Sequence, residues 1–191
     1  VLDYYRRFLE VFPDVIALAG AGEQEVLTLW KGLGYYTRAR NLHRTAQVIR
    51  DQYQGIFPNT YEKIRALPGI GDYTAGAIAG IAFNQSYPAV DGNVLRVVAR
   101  AKGIQEDITS QKVKKAITSI VTSLIPQGKA GEFTQAMMEL GATCCVPGSP
   151  SCDKCPLQTG CFAYRNGKVN ILPVKKKAAT PVELEYWVAA V

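Results

Sequence analysis

Cys145, Cys152, Cys155 and Cys161 stand in a C-x6-C-x2-C-x5-C array, and four thiols within seventeen positions force the surrounding chain to turn back on itself repeatedly. The segment Cys-Val-Pro-Gly-Ser-Pro-Ser-Cys-Asp-Lys-Cys-Pro-Leu-Gln-Thr-Gly-Cys is rich in Pro and Gly, whose backbone preferences permit such turns. Four soft thiolates aimed at one point suit either Zn²⁺ or a four-iron cluster. Zinc ribbons usually pair two C-x2-C knuckles across a longer gap, whereas here one knuckle is flanked by gaps of six and five residues. The pattern favours the cluster and leaves zinc open. Disulfides are the third reading, but the sequence shows no secretory signal, and thiols in the cytosol stay reduced. Cys144 directly precedes the array; adjacent cysteines rarely ligate one centre, so it is expected to be a buried thiol or a neighbour of the cage.

A chain of 191 residues, about half apolar and one-fifth charged, can bury a core as one domain or two small lobes. No apolar run reaches the length of a membrane span, so a soluble protein is expected. The net charge of +6 permits a polyanionic partner without requiring one. Apolar residues recur at helical spacing in Tyr4-Tyr5-Phe8-Leu9-Phe12, Val26-Leu27-Trp30, Leu42-Ala46-Val48-Ile49-Tyr53 and Val113-Ala116-Ile117-Ile120-Val121-Leu124. Stops at Pro13, Gly32, Gly34, Gly55, Pro58 and Pro126 separate them, which predicts an all-α body of eight to ten short helices. Ser86–Val90 and Glu185–Val191 are the two extended candidates. Residues 173–182, with the Lys175-Lys176-Lys177 run, read as an exposed linker, and 183–191 as the first strand of a further domain.

Leu67-Pro68-Gly69-Ile70-Gly71-Asp72-Tyr73-Thr74 predicts a tight turn joining a helix that ends near Ala66 to one that starts near Asp72. Free N–H groups at that second helix can take a phosphate oxygen without reading a base; the bland alternative is a helix connection that binds nothing. Some twenty residues on, Val90-Asp91-Gly92-Asn93-Val94 places a carboxylate where an extended segment enters a helix. Asp91 is a good N-cap by residue type. The same anion, stabilised by a helix N-terminus, can also stabilise positive charge on a substrate.

The turn, the Val-Asp-Gly-Asn segment and the cysteine loop, in this order, resemble the helix–hairpin–helix DNA glycosylases that carry a four-iron cluster. Gly32-Leu33-Gly34-Tyr35-Tyr36-Thr37-Arg38-Ala39-Arg40-Asn41-Leu42-His43 and Phe133-Thr134-Gln135-Ala136-Met137-Met138-Glu139-Leu140-Gly141-Ala142 are closest to the adenine-specific branch. The resemblance runs from Val1 to about Lys177. It implies a fold of two helical lobes with a C-terminal [4Fe-4S] loop at 145–161, a hairpin at about 60–83, and a glycosylase core over 1–172. It implies removal of adenine opposite 8-oxoguanine or guanine in double-stranded DNA, by a monomer.

On that resemblance Asp91 stabilises the oxocarbenium-like sugar and Asn93 supports it. Tyr73 occupies the position where endonuclease III relatives carry a Schiff-base lysine; a phenol cannot form the imine, so base release without strand cleavage is implied. Tyr35 matches the tyrosine that wedges into the duplex, and Arg38, Gly69, Gly71 and Thr74 fall at DNA contacts. Cys145, Cys152, Cys155 and Cys161 would hold the cluster, as a structural element. Arg40 and Lys154 are candidate phosphate contacts. His43 reads as a helix-surface residue, and Trp30, Met137 and Met138 as core. The family's general acid, a glutamate about a dozen residues before Val1 in matched register, has no counterpart here, since Glu10, Glu23 and Glu25 fall out of register. The sequence is therefore expected to be a fragment with little activity of its own, lacking that segment and the C-terminal domain. The rivals are an endonuclease III-like lyase and a non-catalytic Fe–S or zinc DNA-binding module.

Overall fold

A computed structural model describes residues 2–176, and the described chain is helical throughout. Ten α-helices follow one another: α1 (Leu2–Val11), α2 (Val15–Gly20), α3 (Glu23–Leu29), α4 (Tyr36–Tyr53), α5 (Tyr61–Arg65), α6 (Asp72–Phe83), α7 (Gly92–Lys102), α8 (Gln111–Leu124), α9 (Ala130–Glu139) and α10 (Phe162–Arg165). A π turn at Leu140–Cys144 and two 3₁₀ turns, Cys152–Lys154 and Gln158–Gly160, carry the chain from α9 through the cysteine loop to α10. The helix count and the break between α5 and α6 are those the Pro and Gly stops predict. Glu185–Val191 and the linker beyond residue 176 lie outside the described residues.

Ser86–Val90 forms no strand. It crosses α6 as an irregular extended segment, and its backbone is set by packing: a Cβ on Gly76 would stand 2.1 Å from the Pro88 carbonyl oxygen. Only a residue without a side chain lets α6 and this segment approach so closely.

Two larger clusters and one smaller make up the apolar interior. In the first, Phe12, Leu18, Ala19, Val26, Ala39 and Ala46 pack α1 to α4 together, with Phe8 and Trp30 edge-on to one another at 6.2 Å. Ile64, Ala75 and Ala79 form a separate, smaller cluster between α5 and α6. In the second, Val94, Leu95, Val98, Ile117 and Val121 join α7 to α8, with Phe133 and Met137 of α9 packed against them. Each fully buried aliphatic side chain of this kind contributes about 1.5–3 kcal/mol. Helices α6 and α9 pack on each other through small residues; a Cβ on Gly131 would come within 3.0 Å of the Gly80 carbonyl oxygen.

His43 is the residue whose predicted place the structure overturns. It is 4 % exposed, and its Nε2 lies 3.0 Å from the carbonyl oxygen of Ala21. The ring ties α4 to the end of α2, so it is a buried brace rather than a surface residue. Trp30, Met137 and Met138 are partly buried, and Trp30 and Met137 sit at the edge of their clusters.

Candidate functional site

The turn between α5 and α6 presents an open helix N-terminus. Gly71 is the N-cap of α6 and no side chain caps it, in contrast to α2 and α7, whose N-caps Asp14 and Asp91 accept from Ala17 and Val94. Gly69 needs φ +72°, and a Cβ there would lie 2.3 Å from Asn41 Nδ2, so both its backbone angle and its neighbour require glycine. Asn41 lies on α4, and one turn on, the Thr45 hydroxyl donates to the Pro68 carbonyl at 3.0 Å. The hairpin is thus seated on α4. Gly69 and Gly71 are exposed and Thr74 is half-buried, so the N–H end of α6 faces solvent.

The N-terminus of α4 carries Tyr35. Gly32 and Gly34 bring the chain in at positive φ, and Tyr35 itself is left-handed at φ 48°, ψ 50°. A bulky residue there is strained by about 1–3 kcal/mol. Its ring is 78 % exposed, with the Arg38 guanidinium 5.1 Å above it, and Trp30 Nε1 donates to the Gly34 carbonyl at 2.9 Å to hold the approach. This is the opposite of a core tyrosine. Arg40 is engaged with Glu23 at 3.2 Å, whereas Lys154 is exposed in the cysteine loop.

Asp91 is the N-cap of α7, and both its oxygens are engaged: Val94 N–H donates to Oδ1 at 2.8 Å and Asn93 Nδ2 to Oδ2 at 2.9 Å. Asn93 is held in turn by Arg96, whose Nη2 donates to Asn93 Oδ1 at 2.8 Å and to the Gly141 carbonyl at 2.7 Å. Arg96 Nε reaches the Cys145 carbonyl at 2.6 Å. One continuous run of bonds therefore leads from Asp91 to the first cysteine of the array. Tyr73, the second residue of α6, stands on the facing element; burial pushes its phenol up, and the Asp91 charge adds to the shift. It remains a protonated donor at neutral pH. The structure thus brings Asp91, Asn93 and Tyr73 into one neighbourhood.

Cys145, Cys152, Cys155 and Cys161 line a single small cavity together with Cys144, Arg100 and Tyr164. The π turn places Cys144 and Cys145 side by side on it, and the Cys144 thiol donates to the Ser151 carbonyl at 3.3 Å. Burial pushes the Cys152 thiol up, the Cys145, Cys155 and Cys161 sulfurs add to it, and Arg100 opposes them. Cys144 is raised by burial first and by its bond to Cys155 second. Arg100 Nη1 donates to Cys145 Sγ at 3.4 Å and to the Val146 carbonyl at 2.9 Å, while its Nε donates to Leu172. Among the described residues no three His, Cys, Asp or Glu side chains converge closely enough to hold a single metal ion.

Arg96 and Arg100, 8 % and 4 % exposed, are the residues that sequence reasoning did not single out. Their signal was present: Asn93, Arg96 and Arg100 recur three and four apart on one face of a helix whose residues between them are all Val, Leu and Ala.

The chain matches the HhH-GPD superfamily of base excision DNA repair proteins over residues 1–123. It is 38 % identical over 188 residues to an adenine DNA glycosylase of Buchnera aphidicola subsp. Acyrthosiphon pisum, covering 98 % of this chain and 54 % of that protein. It is 45 % identical to an adenine DNA glycosylase of Mus musculus, covering 91 % of this chain and 34 % of the mouse protein. The chain thus spans between about a third and about half of these curated relatives. A thermostable thymine-DNA glycosylase superimposes with a TM-score of 0.76 at 28 % identity, over 85 % of this chain and 75 % of that one. An endonuclease III in a non-covalent DNA complex, 23 % identical, shares the fold with a TM-score of 0.71, over 85 % of this chain and 75 % of its own.

Proposed function

The chain belongs to the HhH-GPD superfamily of base excision DNA repair proteins, and on that premise we propose that its protein removes adenine mispaired with 8-oxoguanine or guanine from duplex DNA. The observation that carries the reading is the Asp91 site. A carboxylate fixed by a helix N–H and by Asn93, with a phenol opposite, suits a sugar that gains positive charge as the base departs. Asp91 holds the anion at a set position, so little reorganisation is needed when charge develops. Tyr73 offers no amine, so the sugar is not captured as an imine and the strand is left uncut. Adenine leaves only when its ring nitrogen is protonated, and Asp91, acceptor on both oxygens, is the anion rather than that acid.

Tyr35 and the hairpin serve binding in this reading. The uncapped N–H end of α6 takes a backbone phosphate, and the strained, exposed Tyr35 ring stacks into the duplex as the adenine turns out. The two features sit on either end of one stretch of α4, so they engage the same duplex. Arg38 and Thr74 extend the phosphate contacts. Double-stranded DNA is the partner, the chain acts as a monomer, and the nucleoid is its place of work; no described helix is long and apolar enough to cross a membrane.

For the cysteines we assign a [4Fe-4S] cluster over zinc. The array has one C-x2-C knuckle flanked by gaps of six and five residues, where zinc ribbons pair two knuckles, and all four thiols line one small cavity. Arg100 supplies positive charge against the thiolates. Such a cluster would tie the loop that holds Lys154 to α7. Cys155→Ser is expected to abolish absorbance near 400 nm and bound iron; full retention of both refutes the assignment.

A single-turnover assay of the full-length protein on a labelled duplex with adenine opposite 8-oxoguanine tests the function. A nick appearing only after alkali is the expected result. A nick without alkali, with a borohydride-stable adduct, would make the protein a lyase, and a bound duplex that stays intact in both lanes would make it a DNA-binding module.

A further inference from the structure

We infer that Cys144 is a reserve ligand for the first position of the cysteine array, taking iron when Cys145 does not. The inference rests on the reading that the array holds an iron–sulfur cluster. A four-iron cluster takes four thiolates, and five thiols line the cavity. Cys144 is the fifth. It does not turn away from the array: it lines the same space as Cys145, Cys152, Cys155 and Cys161 and shares a hydrogen bond with Cys155.

Cys144 is held at the cavity by its main chain and only weakly by its sulfur. Ser151 N–H donates to the Cys144 carbonyl at 3.0 Å, which fixes the residue beside the loop that carries Cys152. The thiol donates to the Ser151 carbonyl at 3.3 Å. An S–H group is a weak donor, so the one side-chain bond that must break for this sulfur to reach iron costs little. Cys144 would release its thiol proton to solvent as its sulfur binds, so four thiolates hold the cluster before and after the exchange.

The exchange is confined to Cys145. Adjacent residues of a helical turn send their side chains in different directions, so Cys144 and Cys145 do not hold one centre together. Standing in for Cys152, Cys155 or Cys161 would require them to; standing in for Cys145 does not. The π turn over Leu140–Cys144, closed by the Cys145 N–H on the Leu140 carbonyl at 2.7 Å, brings both thiols to one side of the cavity. Arg100, 4 % exposed, donates from Nη1 to Cys145 Sγ at 3.4 Å, so a fixed positive charge stands at this corner for whichever sulfur fills it. Cys152, Cys155 and Cys161 have no thiol beside them in the chain.

The test is bound iron and absorbance near 400 nm in the full-length protein, with the parent and Cys152→Ala as references. Alanine is used because a serine oxygen can itself bind iron. Cys145→Ala is expected to keep most of the iron and absorbance, and Cys144→Val to keep all of both. Cys144→Val with Cys145→Ala is expected to fall to the level of Cys152→Ala. A Cys145→Ala protein with no more iron than Cys152→Ala overturns the inference, whether or not its helices form. So does a double variant as rich in iron as Cys145→Ala, which would give the vacant position to a ligand from solvent. Loss of iron from Cys144→Val alone also overturns it and makes Cys144 a brace of the loop through Ser151. A parent protein without iron would instead sink the cluster assignment on which the inference stands.

Discussion

Replacing Arg96 by Met tests the run of bonds that joins Asp91 to the cysteine loop. The guanidinium donates to Asn93 Oδ1, to the Gly141 carbonyl and to the Cys145 carbonyl, and it is 8 % exposed. Met matches its length without donating, so three acceptors lose their donor at once. Hydrogen bonds to a charged group contribute about 1.5–3 kcal/mol each. The sum overstates the loss, since Asn93 keeps its bond to Asp91 and the Cys145 carbonyl lies near the loop surface. A net cost of about 3–5 kcal/mol follows, similar to breaking a buried charged pair. Domains of this size unfold at about 5–15 kcal/mol, so the variant should fold but with little margin. At about 2–4 °C per kcal/mol, Tm should fall by roughly 6–20 °C. Arg96→Lys keeps the charge but has one head for three acceptors, and should fall by about half as much. Thermal unfolding followed by circular dichroism reads both. A Tm for Arg96→Met within about 2 °C of the parent would refute the claim that these bonds hold α7 to the π turn.

Tyr35→Gly should leave Tm unchanged or raise it, because glycine accepts the left-handed angles of φ 48° and ψ 50° without strain. The same change should weaken duplex binding by the loss of one stacked ring, about 1–3 kcal/mol or roughly 5- to 150-fold by anisotropy; a fall in Tm with intact affinity would make Tyr35 structural. Gly34→Ala and Gly69→Ala share a positive φ, but a Cβ meets nothing within 4 Å at Gly34 and lies 2.3 Å from Asn41 Nδ2 at Gly69. Gly34→Ala should therefore cost about 1 kcal/mol and Gly69→Ala clearly more, by denaturant melts. The hydrogen bond from Arg65 holds the Asp72 carboxyl below the usual carboxylate range, with their charge attraction second. The clasp is thus fully present above the unfolded carboxylate value near about pH 4 and is lost as pH falls through the lower folded value. Titration followed by NMR should show Asp72 moving up toward the ordinary range in Arg65→Met; no movement would remove Arg65 as the cause.

What the sequence discloses about this fold is what depends on near neighbours. The Pro-Gly-Ile-Gly turn, the start of α6 at Asp72 and the cap at Asp91 are set within a few residues, and each falls where the turn and cap chemistry predict. The misread residues are those whose partners are remote. His43 is buried by a carbonyl 22 positions away, and Arg96 and Arg100 find all but one of their acceptors 45 to 72 positions along the chain. A single basic or polar side chain on a helix carries no local sign of such an acceptor. Only the stripe of Asn93, Arg96 and Arg100 through an apolar helix hints at it, because that many polar groups are not buried without partners.

Under the proposed function, the two readings of Asp91, helix cap and charge stabiliser, are one arrangement rather than rivals. A cap must keep its oxygens on the N–H groups of α7, and that constraint is what stops the carboxylate from turning away when a cation is absent. Asn93 fixes the second oxygen, and Arg96 fixes Asn93 to the π turn that begins the cysteine loop. Gly141 permits this, since a Cβ there would stand 2.6 Å from Asn93 Cβ and push the turn off α7. Preorganisation of the carboxylate and attachment of the cysteine loop therefore draw on the same few residues. A change that loosens the loop at Gly141 must also loosen Asn93, and with it the aim of Asp91.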